Sequence, residues 1–458
     1  MKSMLSNLFS GFYSALIDNS DNSANDRRRH LLYTCFTGVI TTIIMGTYLT
    51  GLMIEMGADD DYISLCSALT SLCSIAQLVA PLLFERIRLR KKILIACRVA
   101  YQFMNIVLIG IIPILPIPKP LMLVLFIAVI ITLNLINSLS VPGISIWLMQ
   151  CIPENKHSDY FTTSALFCHI ISAMSGVFAG HLLDNFKADG TTFGGLTPAM
   201  CAFLILRFIA LLFCIFEIAC MIRISEKPYQ LVDKKRGVGL RLLFEPLKNG
   251  RYVKIIMIYI LYSFTAGIVG EYFIIYLINI VKVPYTLFSY SLLTSLPFYF
   301  IMIPVFAKLV NKYTWMKILP FLIVGSGAAY IFNMLITLET QFYYHIVMIV
   351  YYMFAPSITV VFSYLPYTNM PGENRTSYIS LFTISGIVAA FLGRLCGILF
   401  MNITDGFVLN IFGKEFVNYQ YLNLLQFVLF TLTALYAAII GKSFSKNKTK
   451  KCDVRRVA

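Results

Sequence analysis

Two charged side chains stand inside long apolar runs, where a carboxylate or guanidinium is costly to keep. Glu271 lies within FTAGIVGEYFIIY, and Arg394 follows Gly393 in the middle of another run. In a segment that crosses lipid, a central charge costs at least ~2.5 kcal/mol on insertion scales, so it marks a candidate functional position. A carboxylate there can take up and release a proton, pair with a coupling cation or hold a cationic solute. A guanidinium can hold an anionic solute or neutralise the carboxylate. Arg98, Arg207 and Glu217 also fall in apolar runs. Arg207 and Glu217 share one predicted helix but stand about 15 Å apart along it, too far for a direct pair. Arg98 is within two turns of a basic segment end and is expected to snorkel out of the apolar layer.

Uncharged polar groups extend the set. Asn134 and Asn137 lie one turn apart above the Pro142-Gly143 pair, Gln77 sits in an earlier run, and Thr34, Thr37 and Thr41 recur at about one turn. Tyr272, with Tyr262, Tyr276, Tyr351 and Tyr352, offers rings on which an aromatic or sugar ring could stack. His169 and His181 lack metal-ligand spacing, and the eleven cysteines are scattered without a C-x-x-C pair. The cysteines read as small buried hydrophobes, with neither a zinc site nor a disulfide framework. The sequence has no G-x-S-x-G, H-E-x-x-H or Walker pattern, so no enzyme, metal or cofactor is expected. Trp147 and Trp315 are expected to anchor at an interface.

The elements that hold these residues follow from composition. Of 458 residues, 58% are hydrophobic and only 13% charged, and the mean hydropathy is +0.77. Soluble domains carry about 25% charged residues. The apolar runs reach 20 residues or more, enough to cross a ~30 Å hydrocarbon layer as helices. The ~10-residue alternation of a membrane barrel is missing. The expected fold class is an all-α membrane protein with twelve spans. They run at about 31–56, 61–84, 93–114, 121–149, 160–184 and 197–222, then 254–281, 286–310, 316–337, 342–367, 377–402 and 418–441.

Twelve spans place both termini on one side. That side, with its alternate loops and the central linker, carries 30 Lys and Arg, whereas the opposite loops hold only Lys119, Lys187, Lys282 and Lys414. The positive-inside rule makes the richer side cytoplasmic. The net charge of +15 is thereby read as a topology signal, and no nucleic-acid partner is expected. Residues 1–29 form a cytoplasmic segment in which Met4, Leu5, Leu8, Phe9 and Phe12 recur at helical spacing, an amphipathic interfacial helix.

A duplication organises the whole. Pro81 precedes Lys92-Ile93-Leu94 as Pro304 precedes Lys317-Ile318-Leu319, and Glu154-Asn155-Lys156 matches Glu373-Asn374-Arg375. Gly176-x-x-x-Gly180 matches Gly393-x-x-x-Gly397, and all offsets lie between 217 and 225. Each copy holds six spans, so the copies share one orientation, a design of parallel repeats known among transporters. The expected domains are an N-terminal bundle over 30–223, a cytoplasmic linker over 224–252, a C-terminal bundle over 253–442 and a basic tail over 443–458.

The loop from Pro81 through Glu85-Arg86 and Arg88 to Arg90-Lys91-Lys92 resembles the G-x-x-x-D-R-x-G-R-R loop between helices 2 and 3 of major facilitator superfamily (MFS) transporters. Glu85 stands at the Asp position. Pro153-Glu154-Asn155, Tyr160-Phe161 and Gly180-His181-Leu182-Leu183-Asp184 resemble a second family element, after helix 4, in bacterial twelve-helix members. The resemblance covers essentially the full chain. It implies alternating access by two rocking bundles around a site near the midplane, with spans 1, 4, 7 and 10 lining the cavity. On that basis Glu271, Arg394, Asn134, Asn137 and Tyr272 are candidates for binding a solute or ion. Glu85, Arg86, Arg90, Glu154 and Arg375 are candidates for a cytoplasmic gate. The implied function is secondary active transport of a small organic solute across a bacterial inner membrane, coupled to a proton or cation. The partners are then the solute, the coupling ion and the lipid bilayer, and the protein is expected to be a monomer. The alternatives are a non-transporting sensor or assembly protein of the same descent, or a polytopic membrane enzyme.

Overall fold

A computed structural model of the chain describes residues 23–80, 87, 89–150, 152, 157–190, 192, 195–226, 245–313, 315–365, 375–411 and 414–454. The N-terminal amphipathic segment through residue 22, and Glu85, Arg86 and Glu154 of the expected gate, lie outside the described residues.

The described residues are helical almost throughout. In order, the helices are α1 (Ala24–Ile44), α2 (Thr47–Glu55), α3 (Asp60–Cys73), α4 (Lys91–Gln102), α5 (Lys119–Gln150), α6 (His157–Asp189), α7 (Pro198–Arg223), α8 (Gly250–Val269), α9 (Tyr272–Ile275), α10 (Tyr285–Tyr313), α11 (Trp315–Met334), α12 (Tyr343–Tyr364), α13 (Arg375–Ile403) and α14 (Asn418–Val454). A short hairpin pairs β1 (Leu409–Ile411) with β2 (Lys414–Phe416), antiparallel, with Asn410 opposite Glu415. Among the described residues, nine helical stretches are long and apolar enough to cross a membrane. Helices α3, α10 and α12 occupy the other three expected positions.

Local sequence sets the helix starts. The Asp59 side chain accepts from the Tyr62 N–H at 2.7 Å, and Thr197 caps α7 with Pro198 in its first turn. Asn249 accepts from the Arg251 and Tyr252 amides. Each cap satisfies amides that the first helical turn leaves open.

Burial is inverted relative to a water-soluble helix. On α7, Phe208, Leu212, Ile215 and Phe216 are exposed, whereas Arg207 and Glu217 are buried. Such a helix turns its apolar side to lipid and its polar side to its neighbours, as a span with charges must.

The chain divides into two compact units, residues 1–236 with 284–293, and residues 237–283 with 294–458. The first contains a core around Tyr33, Leu94, Trp147 and Met221. The interfacial anchoring expected of Trp147 is not what the structure shows. The residue is 3% exposed, and its Nε1 donates to the Ser225 carbonyl at 2.9 Å. The second unit contains a core around Tyr252, Ile255, Leu322, Phe362 and Phe430.

Two of the expected spans are broken. Between α1 and α2 the chain passes through Gly46 at φ +57°, ψ −128°. Between α8 and Glu271 it passes through Gly270 at φ +47°, ψ −128°. Only glycine adopts this region without strain. The two glycines stand 224 residues apart, within the range of offsets that relates the two sequence copies. The same discontinuity therefore occurs at matching places in both units.

Candidate functional site

In the second unit the broken span builds a cavity of about 270 Å³. Its lining comes from the end of α8 with Gly270 and Glu271, from Phe273 and Ile274 beyond the break, from Tyr330 and Asn333 of α11, from Tyr344, Met348 and Tyr351 of α12, and from Arg394 of α13. The two in-span charges that stand out in the sequence thus line one cavity.

Glycine spacing positions Arg394. A Cβ added at Gly393 would lie 2.1 Å from the Phe264 carbonyl oxygen, and one at Gly397 would lie 2.1 Å from that of Ile268. From the other side, a Cβ on Gly267 would meet the Ala390 carbonyl at 2.4 Å. The backbones of α8 and α13 are in contact, as small residues at such seams allow. This approach lays Arg394 over the break, its Cγ 3.8 Å from where a Gly270 Cβ would be. The last carbonyls of α8 have no partner in their own helix and carry partial negative charge. Those carbonyls and Glu271 both favour a cation at Arg394.

Polar side chains of α14 lie beside the break. The Val269 N–H donates to Gln426 Oε1 at 3.2 Å. Asn423 donates to the Tyr419 carbonyl at 2.8 Å and accepts from Asn333 Nδ2 at 3.3 Å. That chain fixes the orientation of the Asn333 amide. Its Oδ1 is buried with no hydrogen-bond partner, on a side chain that lines the cavity.

The other candidates lie elsewhere. Tyr272 is 2% exposed and packs edge-on against Tyr419, off the cavity lining. Asn134 belongs to the first unit, where it donates to the Ile130 carbonyl at 2.8 Å and to Thr70 Oγ1 at 3.3 Å. Asn137, one turn on, is half-buried in the same helix. Arg375 opens α13, and its side chain lies outside the described residues. Arg90 is buried, and its N–H and that of Lys91 converge on Glu226 Oε1. Lys91 Nζ also donates to the Ile222 and Ile224 carbonyls at 2.8 and 2.6 Å. These bonds fasten the start of α4 to the end of α7 within the first unit.

Two further charges differ from expectation. Arg98 does not snorkel. It is buried and bonds Glu217 Oε1 through Nε at 2.9 Å and Nη2 at 2.6 Å. Thr37 donates to the same oxygen at 2.7 Å, and Gln102 donates to Oε2 at 2.6 Å. The Tyr33 and Tyr101 rings lie 5.9 and 5.2 Å from the guanidinium. Arg207, which is not paired with Glu217, donates to the Asn105 carbonyl. Asn105 belongs to a π-helical turn at Phe103–Leu108, a distortion that leaves backbone carbonyls available.

Sequence reasoning passed over Asn333, Gln426 and Gln102. A polar amide inside an apolar run was the available signal, the same one that drew attention to Asn134.

The family model of the Major Facilitator Superfamily matches residues 31–394. No curated protein sequence matches the chain closely enough to count as a relative. Solved structures with a similar fold include a bacterial homologue of the iron transporter ferroportin in an inward-facing state. It has 12% identity and a TM-score of 0.67, covering 92% of this chain and 100% of that one. A point mutant of the nucleoside transporter NupG has 14% identity and a TM-score of 0.62, with 92% and 100% covered. A POT family transporter in complex with 5-aminolevulinic acid has 12% identity and a TM-score of 0.62, with 93% and 96% covered. At such identities the likeness is one of fold alone. The family match, running from α1 to the arginine that closes the cavity, carries the assignment: this chain is a multi-pass membrane transporter of the Major Facilitator Superfamily.

Proposed function

We propose that the chain is a secondary active transporter in which the Glu271–Arg394 cavity receives a small organic solute and Glu271 couples its movement to a proton or cation. The observation that carries this reading is the presence of two in-span charges of opposite sign at a helix break in one cavity. The matching break at Gly46 supports it by contrast. Thr47 stands there in the place of Glu271, and Val177, next to Gly176, in the place of Arg394. The discontinuity is common to both copies, whereas the charges belong to one. A discontinuous helix near mid-membrane is a frequent binding element in transporters, because its open backbone groups face the bound solute.

A carboxylate facing a guanidinium can also serve as a switch. Protonation of Glu271 would release Arg394 for an anionic group, and deprotonation would recapture it. The loops richest in Lys and Arg, with both termini, face the cytoplasm of a bacterial cell in this reading, and the protein acts as a monomer.

The test is transport by reconstituted protein in proteoliposomes, using whichever solutes shift the thermal unfolding of the detergent-purified chain. With Glu271→Gln, accumulation driven by an imposed proton or cation gradient should fall at least tenfold, while exchange of solute down its own gradient survives. Gradient-driven accumulation that persists in Glu271→Gln would remove this residue from coupling.

A further inference from the structure

We infer that the solute of this cavity is a zwitterion of about amino-acid size with an apolar or aromatic body, an inference that rests on the cavity being the transport site. Three observations lead there. The cavity carries one carboxylate and one guanidinium, Glu271 and Arg394, and so has no net charge of its own. Asn333 belongs to its lining, with an Oδ1 that is buried and without a donor and an Nδ2 that donates to Asn423. The remaining wall is mostly apolar and aromatic, with Tyr330, Tyr344 and Met348 among its members.

Electrostatics separates the solute classes. A solute with net charge would leave one charge uncompensated in a low-dielectric site, which is costly. An uncharged solute would leave Glu271 and Arg394 facing each other and gain little from either. A zwitterion brings equal and opposite charges, placing its anionic group on Arg394 and its ammonium on Glu271. The ammonium has three donors, one more than a two-centre contact with the carboxylate uses, and Asn333 is the amide of the lining whose side chain would have to turn to accept it. The guanidinium suits a planar carboxylate, which it can bind through two parallel bonds. A volume of about 270 Å³ is at the small end of solute pockets, which favours one amino acid over a longer peptide. The tyrosines supply the stacking surface for the body.

The experiment is a binding series with the purified full chain, measured by thermal shift and calorimetry. The twenty protein amino acids are compared with singly charged and neutral probes, including phenethylamine, 3-phenylpropionate and uridine. The expected result is binding by one or more apolar or aromatic amino acids, at least tenfold tighter than by the analogue lacking either charge. In Arg394→Gln the preference for the amino acid over its amine analogue should vanish. In Glu271→Gln the preference over its acid analogue should vanish. Should either variant fail to unfold cooperatively, the ranking by the unaltered protein decides alone.

Silence from all twenty amino acids overturns the inference, as does tighter binding of a singly charged or uncharged probe. In the latter case the fate of the cavity reading is separable. If that probe loses affinity in Glu271→Gln or Arg394→Gln, the site stands and only the solute class falls. If an amino acid binds equally well to the unaltered protein and to both variants, the site itself is elsewhere and both readings fall.

Discussion

Glu217 accepts four hydrogen bonds from Thr37, Arg98 and Gln102, so its charge is fully answered although the residue is completely buried. Removing one partner of such a pair leaves a buried charge alone, at a cost of about 3–5 kcal/mol, whereas removing both for apolar groups costs far less. Arg98→Met and Glu217→Leu are each expected to lower unfolding stability by that amount, and the double replacement to restore most of it. Stabilities that simply add in the double variant would contradict a direct pair. Both residues are conspicuous in the sequence as charges in apolar runs. Their pairing is not, because 119 positions separate them and no periodicity within either helix encodes a contact between helices. Snorkelling was the reasonable expectation for an arginine near a segment end. It fails here because a carboxylate from α7 offers a better partner than the interface does.

At the scale of elements, hydropathy located the spans but not their interruptions. Residues 31–56 and 254–281 read as unbroken apolar runs, and glycine is common enough in membrane helices that neither Gly46 nor Gly270 stood out. Mean apolarity reports what lipid will accept and carries no information on dihedral angles. Gly270→Ala should cost about 1–3 kcal/mol from backbone strain alone, read as a lower midpoint in thermal unfolding. The glycine pairs, in contrast, were legible as packing positions, though the first members of the two pairs meet different neighbours. At Gly393 an added Cβ would strike a backbone carbonyl, while at Gly176 it would approach Ser289 Oγ at 3.2 Å and Thr42 Cγ2 at 3.3 Å. Overpacking costs of about 1–3 kcal/mol should therefore fall on Gly393→Ala and largely spare Gly176→Ala, where side chains can give way. Equal unfolding midpoints for the two variants would contradict the close approach of α8 and α13.

For the whole molecule, the charge asymmetry of the loops makes a topological prediction. A fluorescent protein fused after Ala458 should fold and fluoresce in the cytoplasm, and alkaline phosphatase at the same point should be inactive. Active phosphatase would invert the orientation. The apolar spans were readable from composition because lipid imposes them on the sequence directly, and the family was readable from the resemblance of two loop elements. The cavity was readable only as two separate charges, since its walls are assembled from four stretches of chain. The Arg98–Glu217 contact has a further consequence for how the molecule is made. Ribosomes add about 5–20 residues per second, so α4 waits roughly ten seconds in or near the bilayer before the carboxylate that neutralises its arginine is synthesised. During that interval the nascent chain holds a cation that lipid disfavours. Any fragment ending before α7 keeps that cation permanently. Incomplete chains are thus set apart from finished ones by a feature that membrane quality control can act upon, and the arrival of Glu217 erases it.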